Sequence, residues 1–322
     1  MKITLGCWLA AIVWIGAVQL QAQEIVISYP GLSGESLSLW MAREGGYFKD
    51  NGVDAKLVYM EGGRLSIQSL VAGHTQFMAG DAVSALSAVA GGADIVLLAS
   101  AKNVLPYVFA VSKETKRIHD LKGKVVGISQ IGGRAGEIAR MVIKNNGLDP
   151  DKDVVYLAVG GTVSRLAALS GGRVQAAPIS KGLVPAAEEK GLSIIEVEPI
   201  PLIIDALWTT RKYAEDNSAL VYRVSRAYAA AIHAIVSDRP KSLGALRKYM
   251  RGADSKTLDG AYESYVGGVD RVPLPSDKAI QNTLEISARI APKLTGLDIK
   301  KYLSFGAIQR LRAEGYFDRL DK

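Results

Sequence analysis

The chain has 322 residues, of which 48% are hydrophobic and 22% charged, and a formal net charge of +7. This composition excludes a disordered, collagen-like or coiled-coil chain, and the length exceeds what one core usually serves, so a two-domain or two-lobed unit is expected. The single cysteine, Cys7, lies in an N-terminal apolar run, which leaves the rest without thiol catalysis, cysteine–zinc sites or iron–sulfur clusters.

In chain order, Met1-Lys2 precedes an uncharged run from Ile3 to Leu20, and the next charge is Glu24. A basic start, an apolar run and a small residue at Ala22 predict a secretory signal peptide over residues 1–22, cleaved to leave Gln23 first. An uncleaved anchor is the alternative, but the run is slightly short for a span and Gln19, Gln21 and Gln23 interrupt its end. Cys7 sits near the beginning of the run, whereas a lipid-anchored protein needs it at the end. Export without disulfides points to a periplasmic or other extracytoplasmic location in a bacterial envelope. It also argues against nucleic acid as a partner, so the spread basic residues read as a solvated surface.

Glu24 to Ser28 reads as a strand, 29–36 as a turn-rich loop and Leu37 to Glu44 as a helix closed by Gly45-Gly46. Asp54 to Tyr59 is a strand, Leu65 to Ala72 a helix, Thr75 to Met78 a strand and Ala82 to Ala90 a helix. Alternating strands and helices predict an α/β chain with mostly parallel sheets. The pattern then recurs. Asn146-Gly147-Leu148-Asp149 matches Asn51-Gly52-Val53-Asp54, Gly160-Gly161 matches Gly62-Gly63, and Gly172 and Gln175 match Gly73 and Gln76, at separations of 95 to 99 residues. Two similar lobes follow. Lobe I takes 24–108 plus 206–322, including expected helices over 214–237, 241–250, 255–265 and 276–294; lobe II takes 112–204. Strand-like segments Ile95 to Val111 and Leu192 to Trp208 cross between them, leaving a cleft with a hinge at its base.

Ligands of open α/β sheets bind outside the carboxyl ends of the strands. The loops there are 29–36, 60–64, 79–82, 130–135, 160–164 and 178–182. Gly63 and Gly133 let a ligand approach the backbone, and free helix N–H groups favour negative charge. Arg64 and Arg134 each follow a Gly-Gly pair and could clamp a carboxylate, sulfonate or phosphate, or else point to solvent. Ser33, Ser36, Thr162 and Ser180 are hydrogen-bonding candidates that could equally be helix N-caps, the preferred role for Ser36. Tyr29 and Trp208 are candidate cleft walls or core residues, and Leu32 sits in the first loop. Asn103 lies near the first crossing, and Asp81 could bind an amine or cap a helix.

No catalytic pattern stands out. His74, His119 and His233 are far apart, and in Gly31-Leu32-Ser33-Gly34 the glycine after the serine comes one residue too early for a G-x-S-x-G nucleophile elbow. Phosphate-loop and dinucleotide motifs are missing from the sequence. The run Asp149 to Asp153 imitates a calcium loop, but Val154 replaces its glycine and Gly160 its glutamate, so it reads as a helix-to-strand turn. No metal and no cofactor are expected.

The run Leu39-Trp40-Met41-Ala42-Arg43-Glu44-Gly45-Gly46-Tyr47-Phe48-Lys49-Asp50-Asn51-Gly52-Val53-Asp54 resembles the signature of periplasmic solute-binding proteins of the nitrate/sulfonate/taurine type. Leu121-Lys122-Gly123-Lys124-Val125-Val126-Gly127 resembles their start of the second lobe. Gly73-x-x-Gln76 and Gly172-x-x-Gln175 resemble their turns, with glutamine for the usual aspartate. The resemblance implies a type II periplasmic-binding-protein fold and delivery of a small solute to the membrane permease of an ATP-binding cassette (ABC) importer. Its ligand positions carry over by loop to Ser33, Gly63, Arg64, Asp81, Arg134 and Thr162. The family includes sulfonate, nitrate, aromatic-acid and pyrimidine-precursor binders. A related yeast-type pyrimidine-forming enzyme uses a cysteine-rich motif, and the expected mature chain has no cysteine. The expectation is therefore a monomeric, non-enzymatic binder of a small anionic organic solute, with an enzyme on the same fold or a sensory module as alternatives.

Overall fold

The computed structural model describes residues 23–105 and 107–321. The expected signal peptide and Cys7 lie outside them. Among the described residues, ten strands form two sheets: β1 (Gln23–Tyr29), β2 (Val53–Tyr59), β3 (Phe77–Gly80), β4 (Ile95–Leu105), β5 (Tyr107–Val111), β6 (Lys124–Ile128), β7 (Val154–Ala158), β8 (Ala176–Ser180), β9 (Ser193–Glu196) and β10 (Ile200–Thr210). The first sheet has the order β2-β1-β3-β10-β4 and the second β7-β6-β8-β5-β9. Within each, three strands run parallel with helical crossovers, as expected, but β10 and β5 pair antiparallel with their neighbours, so both sheets are mixed. These antiparallel strands follow from the crossings. The chain leaves the first sheet between β4 and β5 and returns between β9 and β10.

The repeat seen in the sequence is structural. Gln23 lies opposite Val53 and Lys124 opposite Val154, the same register in both sheets. Gln76 Oε1 accepts a hydrogen bond from Val26 N–H at 2.8 Å, and Gln175 Oε1 accepts one from Val125 N–H at 3.1 Å. The backbone N–H groups of the same glutamines donate to the carbonyls of Val26 and Val125. Each glutamine thus extends the ladder just before β3 or β8 begins, after a glycine turn at φ +76° (Gly73) or +73° (Gly172) that favours glycine. We expect Gln76→Ala and Gln175→Ala to cost matched amounts, each about 1 kcal/mol, in urea unfolding. A large effect at one site and none at the other would show that the two turns are not equivalent.

The C-terminal stretch is helical as expected, with two corrections. The predicted helix over 214–237 is two helices, Arg211–Asp216 and Ser218–Ser237. Asn217 separates them: its backbone leaves the helical region (φ −127°, ψ 37°), while its N–H and its side-chain amide both donate to Tyr213 O, at 3.0 and 3.1 Å. The helix predicted over 276–294 is Asp277–Ile290, because Pro292 cannot continue it. Helix Ser218–Ser237 buries Ala227, Tyr228, Ala229, Ala231 and Ile232 completely, and its small residues admit helix Leu37–Glu44 with Trp40 and Met41. Helix Ser255–Val266 touches both halves of the molecule at Ala261. A Cβ at Gly182 would meet Ala261 Cα at 2.6 Å, and one at Gly34 would meet Ala261 O at 2.9 Å. Among the described residues, no helix is long and apolar enough to cross a membrane.

Candidate functional site

The carboxyl ends of β1, β2, β3, β6 and β7 converge between the two sheets, and the loops that follow enclose a polar chamber of about 70 Å³. Four helices begin at its wall, at Gly63, Ala82, Arg134 and Thr162. Three of them have glycine at the N-cap (Gly62, Gly133 and Gly161), so no N-cap side chain occupies their first N–H groups. The fourth is capped by Asp81, whose carboxylate accepts from Ser84 N–H at 2.9 Å and Ser84 Oγ at 3.1 Å. A side chain at Gly63 would collide with Ser84, so glycine there is a packing requirement.

Charge in the chamber is closely matched. Arg134 Nη2 donates to Glu35 Oε2 at 2.7 Å and to the Tyr107 hydroxyl at 3.0 Å. Burial works against the Arg134 charge, but Tyr107, Glu35 and Asp81 outweigh it and hold the guanidinium protonated. Arg134 Nη1 and Glu35 Oε1 are buried and have no hydrogen-bond partner among the described residues. Arg165, only 2% exposed, is spent on structure. It donates to Pro178 O at 2.8 Å, Gly160 O at 3.0 Å and Thr162 Oγ1 at 2.9 Å. Opposite, Glu61 Oε1 accepts from Gly161 N–H at 3.0 Å and Ser164 Oγ at 2.5 Å. The Ser164 hydroxyl and the Gly161 amide lower the pKa of Glu61, and its carboxylate occupies the positive end of a helix across the cleft.

At the base of the chamber, Asp205 on β10 accepts from Ser38 Oγ at 2.5 Å, Tyr228 OH at 2.6 Å and Tyr265 OH at 2.7 Å. Lys102 faces it on β4, with register irregularities beside Asp205. Lys102 is 1% exposed and donates to the carbonyls of Ser264 and Tyr265, at the C-terminal end of their helix. Burial lowers its amine to about 8.

Of the residues singled out in the sequence, Ser33, Ser36, Gly63, Asp81, Arg134 and Thr162 line the chamber. Ser36 stands at an N-cap position without capping; its hydroxyl donates to Gly31 O at 3.0 Å. Tyr29 and Leu32 line a larger neighbouring groove. The structure places five others outside the chamber. Arg64 is exposed on its helix. Gly133 packs against Gln130, where a Cβ would meet Cγ at 2.6 Å. Trp208 is core, 2% exposed and clustered with Met78, Leu97 and Leu294. Asn103 is consumed by the C-terminal segment, donating to Asp270 Oδ2 at 2.5 Å and Leu274 O at 3.2 Å. Ser180 is buried at the end of β8. Sequence reasoning passed over Glu35, Tyr107, Arg165 and Asp205. The signal available for Arg165 was its place one turn into the helix after Gly160-Gly161, three residues beyond Thr162.

Residues 34–241 match the family model described as NMT1/THI5 like. The chain belongs to this family. Among solved structures, a protein of Bordetella bronchiseptica RB50 superposes with a TM-score of 0.79 at 20% identity, covering 92% of this chain and 98% of its own. The alkanesulfonate-binding protein SsuA from Xanthomonas axonopodis pv. citri, bound to MOPS, gives 0.71 at 18% identity, covering 88% and 98%. The desulfurization enzyme DSZB gives 0.65 at 12% identity, covering 90% and 99%. At these identities the likeness establishes the two-lobed periplasmic-binding-protein fold, and binders and an enzyme share it. No curated protein matches the sequence. Among the described residues, no group of three or more histidine, cysteine, aspartate or glutamate side chains could hold a metal ion.

Proposed function

We propose that the chain is the extracytoplasmic solute-binding component of an ABC importer. It captures a small anionic organic solute, a sulfonate or carboxylate, between lobe I (24–108 with 206–322) and lobe II (112–204). The hinge at the crossing strands closes, and the closed monomer docks on a membrane permease. Residues 1–22 serve as the export signal. The observation that carries this reading is Arg134. Its buried guanidinium lines the chamber with one N–H group still to be satisfied, among helix N-termini capped by glycine. An anionic oxygen meets that need, and a wrong solute would leave it unpaired.

A melting screen tests it. Methanesulfonate, nitrate, benzoate or a pyrimidine that binds should stabilise the protein by roughly 2.7 kcal/mol at a hundredfold excess over its Kd. If none of these moves the melting temperature, the reading fails. The shared fold of the desulfurization enzyme favours a second reading, catalysis on the same lobes. Consumption of a stabilising solute on incubation would select it.

A further inference from the structure

Two polar links cross the cleft. The inner one joins Arg134 to Glu35 at 2.7 Å, and both residues line the chamber. The outer one lies at the rim, where the exposed Glu61 accepts through Oε1 from Gly161 N–H at 3.0 Å and Ser164 Oγ at 2.5 Å. Every group in both links belongs to the chain itself, so closing the cleft gains these bonds whatever the solute.

The outer link joins two equivalent turns. Met60-Glu61-Gly62 connects β2 to the helix Gly63–Val71, and Val159-Gly160-Gly161 connects β7 to the helix Thr162–Ser170. The turns are anchored alike. Met60 N–H donates to Tyr29 O and Val159 N–H to Ile128 O, each at the end of the neighbouring parallel strand. The middle residue is glutamate in the first turn and glycine in the second, so the turn itself needs no carboxylate. These two middle residues meet across the cleft. A Cβ at Gly160 would collide with the Glu61 carboxylate, and Gly160 has φ +98°, a backbone that favours glycine. In the other direction, a Cβ at Gly62 would stand 3.3 Å from Gln130 Oε1 on the loop after β6. Glycines on both turns thus let the lobes approach and leave room for one carboxylate between them. The Ser164 hydroxyl and the Gly161 amide both favour its ionised form and hold its pKa below the usual range.

We infer that Glu61 is a positioning residue that latches the closed cleft: it ties the turn after β2 to the start of the helix Thr162–Ser170 and so sets how much of the free protein is closed. This rests on the reading that the lobes hinge. Small-angle scattering of the free full chain tests it, and the exposed position of Glu61 spares the fold on substitution. Glu61→Ala should shift the equilibrium about tenfold towards the open form, the weight of hydrogen bonds to a charged group, and enlarge the radius of gyration. Glu61→Gln, which keeps an acceptor of the same shape, should fall between Glu61→Ala and wild type. Ser164→Ala should act in the same direction by less, and added to Glu61→Ala it should change nothing further, because both residues act through one link. Loss of the inner link, Arg134→Ala/Glu35→Ala, is the reference. Expansion by Glu61→Ala, with or without expansion by the reference pair, is the expected result. Expansion by the reference pair alone would overturn the latch and leave the hinge intact. Expansion by neither would overturn both. Further expansion on adding Ser164→Ala to Glu61→Ala would also overturn the latch.

Discussion

Arg134→Ala should weaken binding of a sulfonate or carboxylate by about ten- to a hundredfold, because a hydrogen bond to a charged group contributes about 1.5–3 kcal/mol. It should also destabilise the fold by about 3–5 kcal/mol. Glu35, whose side chain is only 13% exposed, loses its partner and remains as an uncompensated carboxylate. The two effects are separable. Arg134→Ala/Glu35→Ala should recover most of the stability in urea unfolding without recovering the affinity. Arg64→Ala, on an exposed side chain, should change neither. Equal affinities for wild type, Arg64→Ala and Arg134→Ala would mean that neither arginine holds the solute.

The second large effect concerns the base of the cleft. Asp205→Ala leaves the hydroxyls of Ser38, Tyr228 and Tyr265 without their shared acceptor and removes one of the two carboxylates, with Glu35, that offset the buried Lys102 charge. A loss of about 3–5 kcal/mol is expected. Asp205→Asn, which keeps an acceptor, should cost less.

Lys102 adds a pH dependence whose sign follows from proton binding. Its amine is lowered to about 8 in the fold, from 10.5 in an open chain, by burial. Below pH 8 both forms carry the proton and the cost of the buried charge is felt in full. Between about 8 and 10.5 the unfolded chain binds more protons than the native one, so stability from this group rises with pH, by on the order of 3 kcal/mol. Lys102→Met should abolish that rise, read as the difference between the two proteins' stability profiles. Parallel profiles would show that Lys102 does not titrate in this range.

Much of the architecture was legible because it is written locally. Glycine turns, apolar runs and the paired Gly-x-x-Gln motifs repeat at separations of 95 to 99 residues, and the registers of β1–β2 and β6–β7 coincide. The strand-end loops were legible for the same reason, and six of the singled-out residues from five of them line the chamber. The helix break at Asn217 was not, because the departure of one residue from helical dihedrals leaves no mark in the surrounding apolar pattern.

The contrast between Arg64 and Arg134 marks the boundary between what the sequence and the tertiary structure decide. Both follow Gly-Gly, and by sequence they are equivalent. In the fold, Gly133 is an N-cap and Arg134 the first helical residue, whereas Gly62 is the N-cap and Arg64 the second. One residue turns a helical side chain by about 100°, so one guanidinium enters the cleft and the other meets solvent. The partners of Arg134 are equally non-local, since Glu35 stands 99 residues away and reaches it across the cleft, and Tyr107 stands 27 residues away on β5 of Arg134's own sheet. By itself the sequence determined two alike α/β lobes, their strand-end loops and a cysteine-free body after the N-terminal run. The tertiary structure alone decided which arginine is buried, which carboxylate neutralises it, and that the turns after β2 and β7 meet across the cleft. Local periodicity encodes strands and turns, but the facing of a side chain and the meeting of distant loops depend on packing.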